Sequence, residues 1–252
     1  MVRKKERKRK KPLWSRFLVA IFLIAAFTAL GVYILTLPIW EIKEVVVNGT
    51  RMLSDSEIRA LAAVPLSENL FLHDFSRTKN NLSRITPIRS FRIYRIPPAT
   101  VLISIKEREP IAALVFPDRS IIIDCEGYIL NRNTNLTMNI PNLAALPVVT
   151  GIESEDISGI EKIDGKAARV IADIVSKLSR FLEAGRLQLE IGGLQNVSFL
   201  LDDLLRVKVG DDQNIKIKME VFGALLPQIA GKWDRVEYVD VRYPDNPVIK
   251  YK

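Results

Sequence analysis

Residues 17–37 constrain this chain more than any other stretch: 18 of these 21 side chains are hydrophobic, and the exceptions, Thr28, Gly31 and Thr36, are uncharged. At about 1.5 Å per residue a helix of this length reaches roughly 30 Å, the thickness of a hydrocarbon core. Its backbone hydrogen bonds close internally, as crossing lipid requires. A helix apolar on every side for so long is seldom the core helix of a small protein. A cleavable signal would have an apolar centre of roughly 7–15 residues before a small-residue cleavage site. Here the run ends in Leu35, Thr36, Leu37 and Pro38, and an uncleaved anchor is expected. Trp14 and Trp40 flank it at the depth of the interfacial aromatic belts.

The charge distribution orients that anchor. Residues 1–16 carry nine basic side chains (Arg3, Lys4, Lys5, Arg7, Lys8, Arg9, Lys10, Lys11 and Arg16) and one acid, Glu6, whereas the other 236 residues carry 28 of each sign. The whole net charge of +8 therefore sits in the head of the chain, where it reads as a topology signal. No basic surface is left over for nucleic acid. Beyond the span only Lys43 and Arg51 follow closely, so the N-terminus is expected in the cytoplasm and the bulk, from Pro38 onward, outside it.

Residues 42–49 are β-rich and close on the Asn48-Gly49 turn signal. Ser54 and Glu57 have the spacing of a capping box, with Ser54 accepting from the helix amides and Glu57 reaching back. A short helix should follow and stop at Pro65. Residues 74–85 form a second, weakly amphipathic segment with Phe75, Leu82 and Ile85 on one side. Residues 88–96 and 100–106 read as a hairpin turned at Pro97-Pro98. Strand, helix, helix, strand, strand packs two helices on one face of a three-stranded sheet.

That order resembles a POTRA domain, and the residues resemble the FtsQ/DivIB bacterial cell-division proteins. The matching stretches are residues 42–49, Leu53-Ser54 with Glu57-Ile58, Asn69-Leu70-Phe71, residues 92–97 and 107–112, Ile123-Asp124 with Gly127, residues 146–151 and residues 238–243. The departures are the second proline at Pro98 and a short C-terminal tail. The fold expected is α+β: a basic cytoplasmic tail (1–16), a transmembrane helix (17–37), a POTRA domain (38–109), a second mixed α+β domain with an antiparallel-rich sheet, the family's β domain (110–243), and a tail (244–252).

Within 110–243, strands are expected at 111–116, 120–123 and 128–130, then a polar connection at 136–145. The clearest soluble helix is 166–183, where Ala167, Val170, Ile171, Ile174, Val175, Leu178, Phe181 and Leu182 repeat at three and four and Gly185 supplies the stop. Strands follow at 187–191, 197–201 and 205–209, a helix at 216–229 and a last strand at 236–243.

Catalytic constellations are scarce. One cysteine and one histidine exclude an intramolecular disulfide and a Cys/His zinc cage. His73 reads as an exposed loop residue, and Cys125 as a buried thiol. Glu107, Arg108 and Glu109 alternate across a strand, so the carboxylates do not converge and a salt-bridged strand end is expected. Asp124, Glu126 and Gly127 read as a turn, as do Asp202-Asp203 and Asp211-Asp212. Gly192-Gly193 has no phosphate-loop lysine after it. No cofactor, metal or enzymatic activity is expected.

What remains is surface, and strand edges offer unpaired amides and carbonyls to a partner. The last strand stops beside residues 244–247, which cannot continue a ladder, and the chain then resumes at 248–251. The family resemblance implies that this region meets a membrane-anchored coiled-coil partner of the FtsB/FtsL type, besides other divisome proteins and the bilayer. It places the partner-binding residues at Tyr238, Asp240, Arg242, Tyr243, Val248 and Tyr251, with Tyr243 first. It also implies a non-enzymatic scaffold at the division septum of the inner membrane, linking early and late division proteins and helping control septal peptidoglycan synthesis. A POTRA-type assembly or translocation factor is the alternative, and an envelope hydrolase ranks last.

Overall fold

The structure, a computed structural model, describes residues 13–132, 136–152, 161–179 and 186–252. Helix α1 (Leu13–Leu35) contains the apolar run, and residues 16–35 of it are long and apolar enough to cross a membrane. Its side chains from residue 16 onward are exposed along the whole length, as lipid-facing residues would be. The basic residues at positions 3–11 lie outside the described part.

A 3-10 turn at Pro38–Trp40 leads into a small sheet. Strand β1 (Glu44–Asn48) runs parallel to β3 (Thr100–Glu107), which pairs antiparallel with β2 (Ile88–Ile96), giving the three-stranded order β1-β3-β2. Helices α2 (Asp55–Ala62) and α3 (Ser76–Ser83) connect β1 to β2 and pack on one face. Alternation decides which face: Val45, Val47, Val101, Ile103 and Ile105 are buried together with Ile58, Leu70, Phe75 and Leu82. A slip of one residue in β3 would turn all three of its core side chains to solvent, so the register is pinned.

Two local expectations fail here. Ser54 is the N-cap of α2 but makes no side-chain cap bond, because its Oγ is paired with Ser56 Oγ at 2.7 Å. Glu57 turns away from the helix end and accepts from the Thr137 amide at 3.3–3.4 Å, so a remote segment has taken the carboxylate the capping box needed. His73, expected in solvent, has a side chain only 13% exposed; its Nδ1 hydrogen-bonds Glu68 and its ring meets Phe75 edge-on.

The second sheet has eight strands in the order β11-β10-β9-β8-β7-β6-β4-β5. They are β4 (Pro110–Val115), β5 (Ser120–Asp124), β6 (Val148–Thr150), β7 (Leu187–Ile191), β8 (Val197–Leu201), β9 (Leu205–Gly210), β10 (Val236–Asp240) and β11 (Val248–Tyr251). The pairs β4-β6, β6-β7 and β9-β10 are parallel and the others antiparallel. In β7, β8 and β9 every second side chain is buried, the pattern of a sheet with one covered and one wet face. Helices α4 (Gly165–Leu178) and α5 (Ile215–Ile229) pack together over the covered face, where Phe199 and Phe222 meet edge-on at 5.4 Å.

Helix α4 starts on Asp164, whose carboxylate accepts from the amides of Lys166 and Ala167. Its expected continuation through Phe181 and Leu182 to Gly185 falls outside the described residues. The strand expected at 128–130 is reduced to single bridges, Ile123–Ile129 and Tyr128–Lys162, before a 3-10 turn at Leu130–Arg132. The last long strand ends at Asp240, three residues early, because the Asp240 carboxylate accepts from the Arg242 amide and folds the chain back.

The two sheets are joined twice. The chain crosses directly from β3 to β4 through residues 108–109, and a returning strap then lies back on the small sheet. Met138 bridges Leu53, Asn139 N donates to Met52 O at 2.9 Å, and Leu136 and Met138 pack against the first core. The polar connection expected at 136–145 is therefore partly a structural tie. Glu107 supports it from below by accepting from the amides of Met52 and Leu53 at 2.8 and 3.0 Å.

Candidate partner-binding surfaces

A sheet has two edges, and in the large one they are β5 and β11. The sequence favours the strand at 236–243 as the open border, but β10 is flanked by β9 on one side and β11 on the other. Its amides and carbonyls are shared with both neighbours. Among the described residues, the free ladder at this end belongs to β11. Residues 248–251, set apart as tail in the sequence, form this outermost strand, with Val239 opposite Ile249 and Asp240 opposite Val248.

Five of the six expected contact residues lie in or beside this pair, and Tyr243 stands on the turn that joins the strands. Tyr238 lies on the wet face between two lysines, with Lys208 Nζ 3.7 Å from its ring centroid and Lys250 Nζ 5.5 Å away. Neither lysine was singled out from sequence; the β8-β9-β10-β11 register, which no short-range pattern reveals, brings them there. Lys250 also reaches Glu237, whose carboxylate holds the ammonium above its ordinary value. Val248 and Tyr251 are exposed.

Asp240 and Arg242 form a local clasp. The guanidinium donates to both carboxylate oxygens at 2.7–3.0 Å. Burial pushes the Asp240 carboxyl up, but the hydrogen bonds and charge of Arg242, with Lys208 beyond, outweigh it and leave the group below its ordinary value. The stem of Arg242 lies across Gly210, which sits at φ +80. Tyr243 follows at 72% exposure, the most open tyrosine of this end, and its carbonyl accepts from Asn246 to close the turn.

A second feature lies at the joint between the sheets. Arg108 Nη1 donates to Asp124 Oδ2 at 2.7 Å and to Glu126 Oε2 at 2.9 Å, and the guanidinium covers the Tyr128 ring at 3.6 Å. Arg89 on β2 holds the other oxygen of Glu126 at 2.6 Å. Asp124 also accepts from the amides of Glu126 and Tyr128, which forms the expected turn. The salt-bridged strand end is thus built by Arg108 with Asp124 and Glu126, not with its sequence neighbours. Cys125, between them, is exposed and not buried, because Asp124 takes the inward place. A groove of about 780 Å³ runs beside the joint, lined from the small sheet by Gly49, Met52 and Glu107 and from the returning strap by Pro141 and Asn142.

Among the described residues no group of three or more His, Cys, Asp and Glu side chains is placed to hold a metal ion.

An α+β chain with a membrane-length helix, a two-helix three-stranded module and a mixed second sheet is a class of architecture, and comparison with known proteins narrows it. Residues 41–108 match the model of the POTRA domain, FtsQ-type. The cell division protein FtsQ of Mycobacterium leprae is 26% identical over 94% of this chain and 64% of its own length. Cell division protein DivIB of Clostridium tetani is 24% identical over 85% of this chain and 81% of its own length. DivIB of Clostridium botulinum is 25% identical over 97% and 93%. Residues 41–108 thus match a POTRA domain of the FtsQ type, and most of the chain is similar to bacterial cell division proteins named FtsQ and DivIB. It spans just under two thirds of the length of the Mycobacterium leprae relative.

Proposed function

We propose that this protein is a non-enzymatic, single-pass scaffold of the bacterial divisome. Its N-terminus is cytoplasmic, its two sheet modules are extracytoplasmic, and it acts at the septum by offering the edge of its large sheet to a membrane-anchored coiled-coil partner of the FtsB/FtsL type. Through that contact it links early and late division proteins and helps control septal peptidoglycan synthesis. The observation that carries this reading is the outer ladder of β11, unpaired among the described residues, beside which Tyr243, Val248 and Tyr251 stand exposed. An added strand would gain main-chain hydrogen bonds from β11, while alternate side chains would set its register.

Similarity to cell division proteins over most of the chain supports the division role, and the excess of positive charge ahead of α1 supports the orientation.

The test is a titration of the detergent-solubilised full chain with an FtsB/FtsL-type complex. Tyr243→Ala and Tyr251→Ala should each weaken capture by about tenfold, the effect of removing an interfacial tyrosine anchor. Deleting residues 248–252 should abolish it. Unchanged affinity in all three would assign the partner to another surface. Proteolysis of intact spheroplasts that removes the basic head but spares the large sheet would reverse the orientation.

A further inference from the structure

The small sheet is bolted to the end of α1. The last carbonyls of a membrane helix need donors, since they have no partner further along the chain. Here residues beyond the helix supply them: Trp40 Nε1 donates to Ile34 O and Asn69 Nδ2 donates to Leu35 O, both at 2.7 Å. The same Asn69 side chain accepts, through Oδ1, from the amides of Phe71 at 2.9 Å and Leu72 at 3.1 Å. One carboxamide therefore spans the gap between the helix end and the loop at 69–72. Trp40 reinforces the contact by meeting Phe71 edge-on at 5.2 Å. Residues 41 and 69 pair as a bridge, so there is no free linker between helix and domain.

Around this seam the domain leaves large apolar side chains uncovered. Ile39 is 54% exposed, Leu66 59%, Leu72 64% and Phe71 38%. The β2-β3 hairpin tip closes at the same end, since Lys43 N donates to Ala99 O and Arg95 on β2 donates to Leu70 O and His73 O. Ile39 follows α1 in the 3-10 turn, Phe71 and Leu72 are joined to the helix end through Asn69, and Leu66 stands next to Ser67, whose amide donates to Ile42 O, so these exposed apolar groups extend the apolar surface of α1 onto the module.

We propose that Ile39, Leu66, Phe71 and Leu72 insert into the headgroup–acyl boundary of the leaflet from which α1 emerges, so that the small module lies on the membrane as a foot. The occupant is lipid, because the patch begins where the lipid-facing helix ends and Asn69 fixes it there. The proposal rests on the reading of α1 as a membrane span. Interfacial surfaces of this kind sink roughly 5–10 Å into the boundary, within reach of a quencher on the upper acyl chain.

The experiment uses the full chain in a Cys125→Ser background, reconstituted in phosphatidylethanolamine/phosphatidylglycerol vesicles that carry a nitroxide high on the acyl chain. Single cysteines are introduced as Leu72→Cys, Leu66→Cys, Ile24→Cys in α1 and Ile217→Cys on the remote helix α5, and each is labelled with a polarity-sensitive fluorophore. Labels at 24, 66 and 72 should lose about half or more of their fluorescence, as groups at that depth do, and the label at 217 should lose almost none. Quenching at 24 without quenching at 66 and 72 would overturn the foot while leaving the span intact. So would protection of 66 and 72 that appears only when a partner protein is added. Failure at 24 as well would remove the span and the foot together.

Discussion

Arg108 and Asp124 close the joint between the two sheets. Their side chains, 10% and 3% exposed, meet at 2.7 Å with one partner just past β3 and the other at the end of β5. Each is oriented by its own surroundings, Arg108 by the Tyr128 ring and Asp124 by two backbone amides. The pair ties the connection that follows β3 to the end of β5.

Removing one partner of a buried pair leaves an uncompensated charge. Arg108→Met should cost about 3 kcal/mol, the low end for such a loss because the two amides continue to satisfy one oxygen of Asp124. The double change Arg108→Met with Asp124→Asn should recover a good part of it, since the asparagine oxygen accepts the same amides without a charge to bury. Chemical denaturation of the three variants in detergent provides the comparison. A double variant as unstable as the single one would show that the stranded Asp124 charge is not the cause of the loss.

The second prediction concerns acid. Glu126 is held below its ordinary value of 4.5 chiefly by the Arg108 hydrogen bond, with burial opposing and the charges of Arg89 and Arg108 adding. A carboxyl depressed in the folded state binds fewer protons there than in the unfolded chain. Its contribution is therefore complete above the ordinary value and drains away as pH falls from there through the folded one. The Tm advantage of the wild type over Glu126→Gln should be constant from neutral pH to about that ordinary value and should shrink below it. Calorimetry across that window decides, and an advantage that persists undiminished in stronger acid would assign it to packing.

Gly210 has a positive φ and lies under Arg242, so a methyl group there meets Arg242 Cγ at 2.9 Å. Gly210→Ala should cost about 1–2 kcal/mol for the left-handed backbone alone and should also push Arg242 off Asp240. In an Arg242→Ala background the steric part should vanish and the backbone part remain, giving a measurable coupling. Thermal unfolding of the four species, together with partner capture, separates the two effects.

Much of this architecture is legible from short-range chemistry. The apolar span, the β-α-α-β-β order and the period of α4 are encoded in consecutive residues, and the structure follows them closely. What escaped the sequence depends on remote competitors. Glu57 has the right spacing for a cap but is claimed by Thr137, eighty residues away. Cys125 looks like a small apolar side chain, yet its neighbour Asp124 wins the buried place through Arg108. The six residues expected to meet a partner lie together, but which strand is outermost follows from the pairing of 248–251 with β10, which a proline-broken segment does not announce.

The two crossings between the modules bear on how the molecule would carry load. A single covalent connection would let the far sheet swivel on its anchor. Here the passage from β3 to β4 and the strap at 136–139 are fastened to the same small sheet, so a pull on β11 divides between two attachments acting in parallel. The body behaves as a bracket: tension between the large sheet and α1 is shared by these attachments, and the Arg89–Glu126 ion pair adds a third tie.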